Sequence, residues 1–292
     1  MPDIRSSPRL SSRKITPWQQ FLTQLLLAVV AVFVIAPIWG LLRVSLDASI
    51  RSVPTSFSLF PVQPSLAVYE QVWHTPSQAL TFLGLLRNSL LVSGASALMA
   101  VVMGASMAYA FARFRFRGRE PGLLAILVGA FLPLVALMTP LYILLEALGL
   151  RSSLVGLIVV YTAFSLPFCI WNMRAAFQSI PVEMEEAALL DGATPWGTFT
   201  RVSLPNALPA IGVAALLAFL TAYSEFAIGW LFVENSQNVT LAMALWGIRS
   251  MGSYPWSQLA AMAVLMSLPV VIIFIVLQRA LFDRMVFGMA RE

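Results

Sequence analysis

Charge is scarce in this chain. Only 11% of its 292 residues are charged, whereas 59% are hydrophobic, and the mean hydropathy is +0.84. An ordinary soluble domain is about a quarter charged and about half apolar. Too few polar residues remain to cover a soluble enzyme of this size. If the chain instead forms membrane helices of about 20 residues each, joined by loops, its length allows roughly five to seven spans.

Cysteine and histidine are almost absent as well, since Cys169 and His74 are the single examples. One cysteine excludes a disulfide within the chain. One cysteine and one histidine also offer few ligands for a Cys/His metal site and little basis for a Cys–His nucleophile pair. The sequence also lacks pairs of carboxylates at facing depths of two apolar stretches, which a membrane-embedded enzyme would need. The sequence therefore predicts no catalytic residues and no metal site.

Long apolar stretches are abundant. Six of them reach roughly 20 residues or more, or about 30 Å as a helix, which suffices to cross the hydrocarbon core. These stretches must be helical because lipid offers no partner to unpaired backbone groups. We predict an all-α integral membrane protein with six transmembrane helices, at about residues 20–42, 85–111, 122–145, 154–173, 207–232 and 258–281.

The cations orient these spans. The formal net charge is +5, and Lys14 is the only lysine. No basic soluble face for nucleic acid is visible, so the charge indicates cytoplasmic loops facing anionic lipid. Arginines concentrate in the N-terminal segment 1–19 and in the loop 113–120, which places both in the cytoplasm. Six spans then return the C-terminus to the same side.

The predicted cytoplasmic loop within residues 176–206 has a pattern of its own. Pro181 and the acidic residues after it suit the first turn of a helix, and Gly192 suits its C-terminal stop. Thr194 and Pro195 are typical of the N-cap and first turn of a second helix. A helix–glycine–helix of this kind protrudes from the membrane. On these grounds alone, a plain surface hairpin and a functional loop are equally compatible with the pattern.

A spaced motif runs through this loop. It consists of Glu186, Ala187 and Ala188, three residues, Gly192, nine residues, then Val202, any residue, Leu204 and Pro205. At this spacing the loop resembles the signature loop of the permease subunits of bacterial ABC importers. The resemblance covers about residues 85–281 and implies the type 1 ABC importer permease fold, with N- and C-termini cytoplasmic.

The residues around the motif are similar to the carbohydrate branch of that family, in particular to the smaller permease of maltose/maltodextrin-type importers. Arg117 departs from the proline usual there, and the tail 285–292 differs from the small-residue tail expected. Segments that carry the likeness are 108–113, 166–171, 177–181, 185–196 and 238–242. The predicted organisation is a cytoplasmic segment 1–19, a first span with outer loop 20–84, an importer core 85–281 and a cytoplasmic tail 282–292.

The resemblance implies a machine of several chains in the inner membrane. This chain would be the permease subunit of an ATP-driven, binding-protein-dependent importer of maltose, maltodextrin or a similar oligosaccharide. Its partners would be a second permease, two cytoplasmic ATPase subunits and an extracytoplasmic solute-binding protein. The chain has no Gly-x-x-x-x-Gly-Lys-Ser/Thr phosphate loop, so no cofactor is expected on it, and ATP and Mg²⁺ are expected on the ATPase.

Two alternatives remain. One is the same importer class for another solute, such as glycerol phosphate. The other, less favoured, is a secondary transporter, which would be expected to show internal repeats and intramembrane ion sites.

The resemblance also implies roles within the loop. The helix ending at Gly192 would sit in a cleft of the ATPase, and Gly192 would turn the chain where a side chain would clash. Glu186 would face a basic group of the ATPase, while Ala187 and Ala188 would permit close approach. The predicted coupling site is completed by Asp191, Leu204 and Pro205.

A second candidate lies in the fifth apolar stretch. Glu225 is roughly 10 Å inside its outer end, and an ionisable residue in a span marks a pathway or a pairing. A helix–helix hydrogen bond and a translocation path shared with Tyr223 and Ser224 are both left open. By resemblance, the outer segment 247–256 would meet the binding protein. Its candidate contacts are Ser250, Gly252 and Tyr254.

Small residues repeat every fourth position in the second stretch, at Ser96, Ala100, Gly104, Ala108 and Ala112. Such a stripe lets two helix backbones approach closely. It favours a packing role over a place in the pathway. It also leaves open a seam with a second permease.

Overall fold

The computed structural model describes residues 16–55, 58–74, 76, 79–250 and 255–289, and over these residues it is helical without a β-strand. The helices are α1 Pro17–Ser45, α2 Ala67–His74, α3 Phe82–Arg113, α4 Arg119–Ala130, α5 Leu134–Ala147, α6 Leu154–Ser179, α7 Val182–Leu190, α8 Pro195–Thr198, α9 Leu204–Asn206, α10 Leu208–Ser224, α11 Ala227–Phe232, α12 Leu241–Ser250 and α13 Trp256–Met289. A π-helical turn, Phe199–Ser203, joins α8 to α9, and a 3₁₀ turn, Ser236–Asn238, precedes α12.

Side-chain caps fix where the long helices begin. Thr16 and Gln19 form a reciprocal capping box at the start of α1, where Pro17 occupies the first turn. Thr81 accepts from the Gly84 N–H at the start of α3, and Ser153 does the same for α6. Each cap satisfies an N–H that the first turn leaves unpaired.

The all-helical membrane fold predicted from composition is confirmed. Within the described part of the chain, α1, α3, α6 and the stretch Trp256–Gln278 of α13 are each long and apolar enough to cross a membrane. Helix α10 passes the same test only together with Pro195–Asn206, from which it is bent by 76°. The count of six spans therefore stays a prediction, as does the division into segments.

Two of the predicted spans are interrupted. The stretch 122–145 is divided into α4 and α5 by a break that ends at Pro133, because proline has no N–H and disfavours helix in the residue before it. The stretch 207–232 is divided at Glu225, whose backbone is extended with φ −71° and ψ 132°. Apolar composition does not report either interruption, since both stretches remain hydrophobic throughout.

The centre of the fold is the pairing of α3 with α6, against which α10 also packs. The small-residue stripe lies in this contact, as the spacing predicts: Ser96, Ala100 and Ala108 are fully buried. A Cβ added to Gly104 would lie 3.0 Å from Cβ of Cys169 on α6. The stripe therefore serves close packing within this chain. Helix α1, by contrast, leaves most of its apolar side chains exposed, as suits a helix facing lipid.

Candidate coupling site

Helix α7 ends as predicted at Gly192, but Pro181, expected in its first turn, is its N-cap. It begins directly after Pro181 and ends before Gly192, whose φ is +87°. In this left-handed conformation the N–H of Gly192 donates to the carbonyl of Leu189, and the N–H of Ala193 donates to that of Ala188. The turn thereby satisfies carbonyls that the end of a helix leaves unpaired, which confirms Gly192 as the stop.

The second half of the loop begins as predicted and then departs from a simple helix. Thr194 is the N-cap of α8, with its Oγ1 accepting from the Gly197 N–H at 3.1 Å. The chain then widens into the π-helical turn before α9. Pro205 explains the widening, because it has no N–H to bond the carbonyl four residues earlier, at Arg201.

Most of the predicted coupling residues are open to solvent. Glu186, Ala187, Asp191, Gly192 and Pro205 are exposed, while Ala188 and Leu204 are partly buried. Large apolar side chains accompany them: Leu190 is 89% exposed and Trp196 is 70% exposed. The loop thus presents an apolar surface with an acidic residue beside it.

The sequence did not single out Glu185, which the structure places at the base of the loop. Its side chain is buried and forms an ion pair with Arg113, at the end of α3, with 2.9 Å between Oε1 and Nε. Sequence patterns do not separate it from its exposed neighbour Glu186. The available signal was Arg113 itself, a cation ending an apolar helix, which requires a counter-charge if it is buried.

Glu225 serves helix pairing. Its Oε2 accepts from the Tyr161 hydroxyl of α6 at 2.6 Å, and its Oε1 accepts from the Ile228 N–H at the start of α11 at 2.9 Å. The carboxylate thereby bridges two helices and caps a third. This observation favours the hydrogen-bond interpretation over a free group on a pathway.

The two neighbours of Glu225 lie in different surroundings. Tyr223 is buried and donates to the carbonyl of Met266 at 3.0 Å. Ser224 is exposed and lines a cavity of about 550 Å³ together with Trp246 and Trp256. A translocation path through the three residues stays a prediction. Among the predicted binding-protein contacts, Gly252 and Tyr254 lie outside the described residues, and of Ser250 only the backbone, at the end of α12, is described.

The loop after α1, on the predicted outer side, is organised around Asp47. Burial of this carboxyl works against its ionisation, but hydrogen bonds from the Ser49 hydroxyl and from the backbone N–H groups of Val62, Ser49 and Gln63 outweigh it. The net result is a pKa lowered to about 2. Asp47 is therefore ionised at neutral pH and holds residues 62 and 63 against the end of α1.

Comparison with known proteins decides what kind of protein carries this loop. The family model described as binding-protein-dependent transport system inner membrane component matches residues 64–287. The chain belongs to this family. It is a multi-pass permease subunit of an ABC importer in the inner membrane, a transport component and not itself a catalytic enzyme.

Relatives of this permease share much of its length. It is 30% identical over 276 residues to the maltose/maltodextrin transport system permease protein MalG of Vibrio vulnificus (strain YJ016), covering 86% of this chain and 92% of that protein. It is 31% identical over 289 residues to the sulfoquinovosyl glycerol transport system permease protein SmoH of Agrobacterium fabrum, covering 99% and 98%.

The fold has solved counterparts. A chain from the crystal structure of a bacterial ABC transporter involved in the import of the acidic polysaccharide alginate superposes with a TM-score of 0.71 at 22% identity, covering 89% of this permease and 95% of that chain. The predicted type 1 importer permease fold is confirmed by this likeness together with the family match.

Proposed function

We propose that this permease forms the membrane pathway of an ATP-driven, binding-protein-dependent importer of maltose, maltodextrin or a similar oligosaccharide or glycoside. Both relatives compared above are named for carbohydrate-containing solutes, which supports a sugar as cargo. The structural observation that carries the proposal is the loop of α7 and α8, exposed on one side and bonded to the membrane helices on the other.

The exposed side of the loop suits a protein partner. Leu190 and Trp196 lie outside the predicted spans, where large exposed apolar side chains mark an interface. Glu186 beside them supplies a charge for a basic group on the partner. We assign this surface to a cytoplasmic ATPase subunit, which would hold ATP and Mg²⁺ and press on α7 when it closes around the nucleotide.

The complete importer would contain a second permease, two ATPase subunits and an extracytoplasmic binding protein. Closure of the ATPases would push the loops of both permeases and open the shared cavity outward to receive sugar. This chain would supply one half of the pathway and no bound cofactor.

Affinity purification of the tagged permease from native membranes in a mild detergent tests the assembly. We expect an ATPase, a second permease and a binding protein to be recovered with it. Recovery of the permease alone, under conditions that keep other membrane complexes intact, would refute the assignment and make ion coupling at Glu225 the next hypothesis to examine.

A matched pair of variants tests the docking surface. Leu190→Asp should abolish recovery of the ATPase, because a charge replaces an apolar side chain that the partner covers. Leu66→Asp is the control, since Leu66 is 71% exposed in the loop on the opposite, predicted outer side, and it should leave recovery unchanged. Equal recovery with both variants would contradict the docking assignment.

Uptake by proteoliposomes containing the purified complex and its binding protein tests the cargo. Radiolabelled maltose, maltotriose and glycerol 3-phosphate are compared with and without internal ATP. ATP-dependent uptake of the two sugars is expected. Uptake of glycerol 3-phosphate alone would favour the same machine with a different solute, and uptake driven by an ion gradient without ATP would favour a secondary transporter.

A further inference from the structure

A buried ion pair joins the coupling loop to the inner end of α3. Arg113 is the last residue of α3, and Glu185 lies in the first turn of α7. Their side chains are only 11% and 9% exposed, with Nε of Arg113 2.9 Å from Oε1 of Glu185. Glu186 is exposed. Two adjacent acids therefore point in different directions, one toward the membrane helices and one away from them.

Further hydrogen bonds complete the junction. The Ser203 hydroxyl donates to Oε1 of Glu185 at 2.8 Å, and the Tyr109 hydroxyl donates to Oε2 at 3.2 Å. Nη2 of Arg113 donates to the carbonyl of Ile180 at 2.8 Å. Helix α3 thus holds Ile180, two residues before α7, and α7 itself. Glu185 in turn holds the end of the π-helical turn.

Aromatic packing surrounds the same point. The ring of Tyr109 lies 5.4 Å from that of Phe177 on α6 and 4.7 Å from that of Phe199 in the π-helical turn, measured between centroids. Phe177 is fully buried, and Phe199 is nearly so. Elements α3, α6, α7 and the π-helical turn therefore meet in one packed junction.

Stability alone does not account for this choice of residues. Burying an ion pair costs desolvation energy, and well-packed apolar residues of similar volume often serve stability as well or better. Apolar contact is non-directional, whereas hydrogen bonds from Arg113 and Tyr109 to one carboxylate fix the direction and register of α7 relative to α3. The feature that the ion pair adds is a fixed orientation.

We propose that Arg113 and Glu185 are positioning residues that make α7 and the inner end of α3 move as one body. A push on the exposed side of the loop is then transferred to α3 and is not absorbed by bending at the base of the loop. This inference rests on the proposed function, because the push comes from the ATPase.

Distance measurements between spin labels test the single-body claim. Cys169, the chain's one cysteine, is replaced by alanine, and labels are attached at Glu183→Cys on α7 and Ser106→Cys on α3, both exposed positions. In the purified complex, the distance should be the same without nucleotide and with ATP and vanadate. A shift above about 5 Å, the rise of one helical turn, would overturn the proposal.

Variants of the pair should change that behaviour. Glu185→Gln keeps the size of the side chain and removes its charge, so the distance distribution should broaden or become dependent on nucleotide. Import of maltotriose per ATP hydrolysed should fall by about fivefold or more, the lower end of typical coupling between sites. In the unlabelled chain, Glu183→Gln changes an exposed acid on the same helix. It is the matched control for import and should leave import per ATP unchanged.

A double variant guards against simple misfolding. Arg113→Met with Glu185→Leu leaves no buried charge unpaired, so the complex should assemble and hydrolyse ATP. Import per ATP should still be low. Normal import per ATP by this double variant would overturn the proposal, because it would show that any well-packed junction suffices.

The proposal and the proposed function can fail separately. If no ATPase is recovered with the chain, the proposed function fails and the positioning role fails with it. If the complex assembles and imports sugar while the distance changes with nucleotide, only the positioning role is refuted.

Discussion

Replacement of Gly192 separates a role in coupling from a role in folding. Its φ of +87° belongs to the left-handed region, where a residue with a side chain is strained by about 1–2 kcal/mol. A Cβ at this position would meet no atom within 4 Å, so steric overlap within the chain adds nothing. Aspartate tolerates the left-handed conformation better than most residues, which keeps the cost of Gly192→Asp to about 1 kcal/mol or less.

This small cost predicts a specific outcome. Gly192→Asp should reach the membrane in normal amounts yet lose import, because the new charged side chain stands on the surface that the ATPase must cover. Immunoblots of membranes, recovery of the ATPase with the tagged chain and uptake of maltotriose measure the three quantities.

The chain offers a matched control at Gly118, the N-cap residue directly before α4, in the arginine-rich loop 113–120. Its φ is +91°, and its added Cβ would also meet nothing within 4 Å. Gly118→Asp therefore carries the same backbone strain and the same charge, and it should import normally. Normal import by Gly192→Asp, or an equal loss in both variants, would refute the coupling role of Gly192.

Other predictions concern packing, a buried carboxylate and pH. Gly104→Ala should lower the free energy of unfolding of the purified chain by about 1–3 kcal/mol through overpacking against α6. Gly94→Ala, whose Cβ would meet nothing within 4 Å, should raise it slightly. Equal shifts in the two variants would contradict the close α3–α6 contact. Glu225→Ala should lower the free energy of unfolding by about 1–3 kcal/mol, because it leaves buried donors without an acceptor. Glu225→Gln should lower it less. Thermal unfolding of the two variants measures the difference. Because the pKa of Asp47 is lowered from 3.8 to about 2, its contribution to stability is present above about pH 4 and is lost as pH falls through 2. The loop 46–66 should therefore be protected from proteolysis above about pH 4 and lose that protection as pH falls through 2. Asp47→Asn should remove this dependence on pH.

Local signals in the sequence were sufficient for the end of α7 and the start of α8. Gly192 and Thr194 act through their own backbone preferences and caps, so these two limits could be predicted from neighbouring residues. The stripe of small residues in α3 was equally predictable, because helical spacing alone places Ala100, Gly104 and their fellows on one face.

The interruptions at Pro133 and Glu225 could not be located from apolar composition. Hydropathy averages over a window and does not register that one residue lacks an N–H or that one carboxylate finds better partners outside the helix. Ser224 and Tyr223 are adjacent in the chain, yet one lines a cavity and the other is bonded to α13, because the end of α10 turns them in different directions.

Membrane class, family motif and the exposed glycine turn follow from the sequence by itself, because composition, spacing and backbone preference are properties of single residues and near neighbours. The tertiary structure alone decided that Glu185 pairs with Arg113 while Glu186 remains exposed. Those two acids are alike in charge and in helix preference, and 71 residues lie between Arg113 and Glu185 in the chain. Only the packing of α3, α6 and the loop brings that one carboxylate within reach of the arginine and buries both.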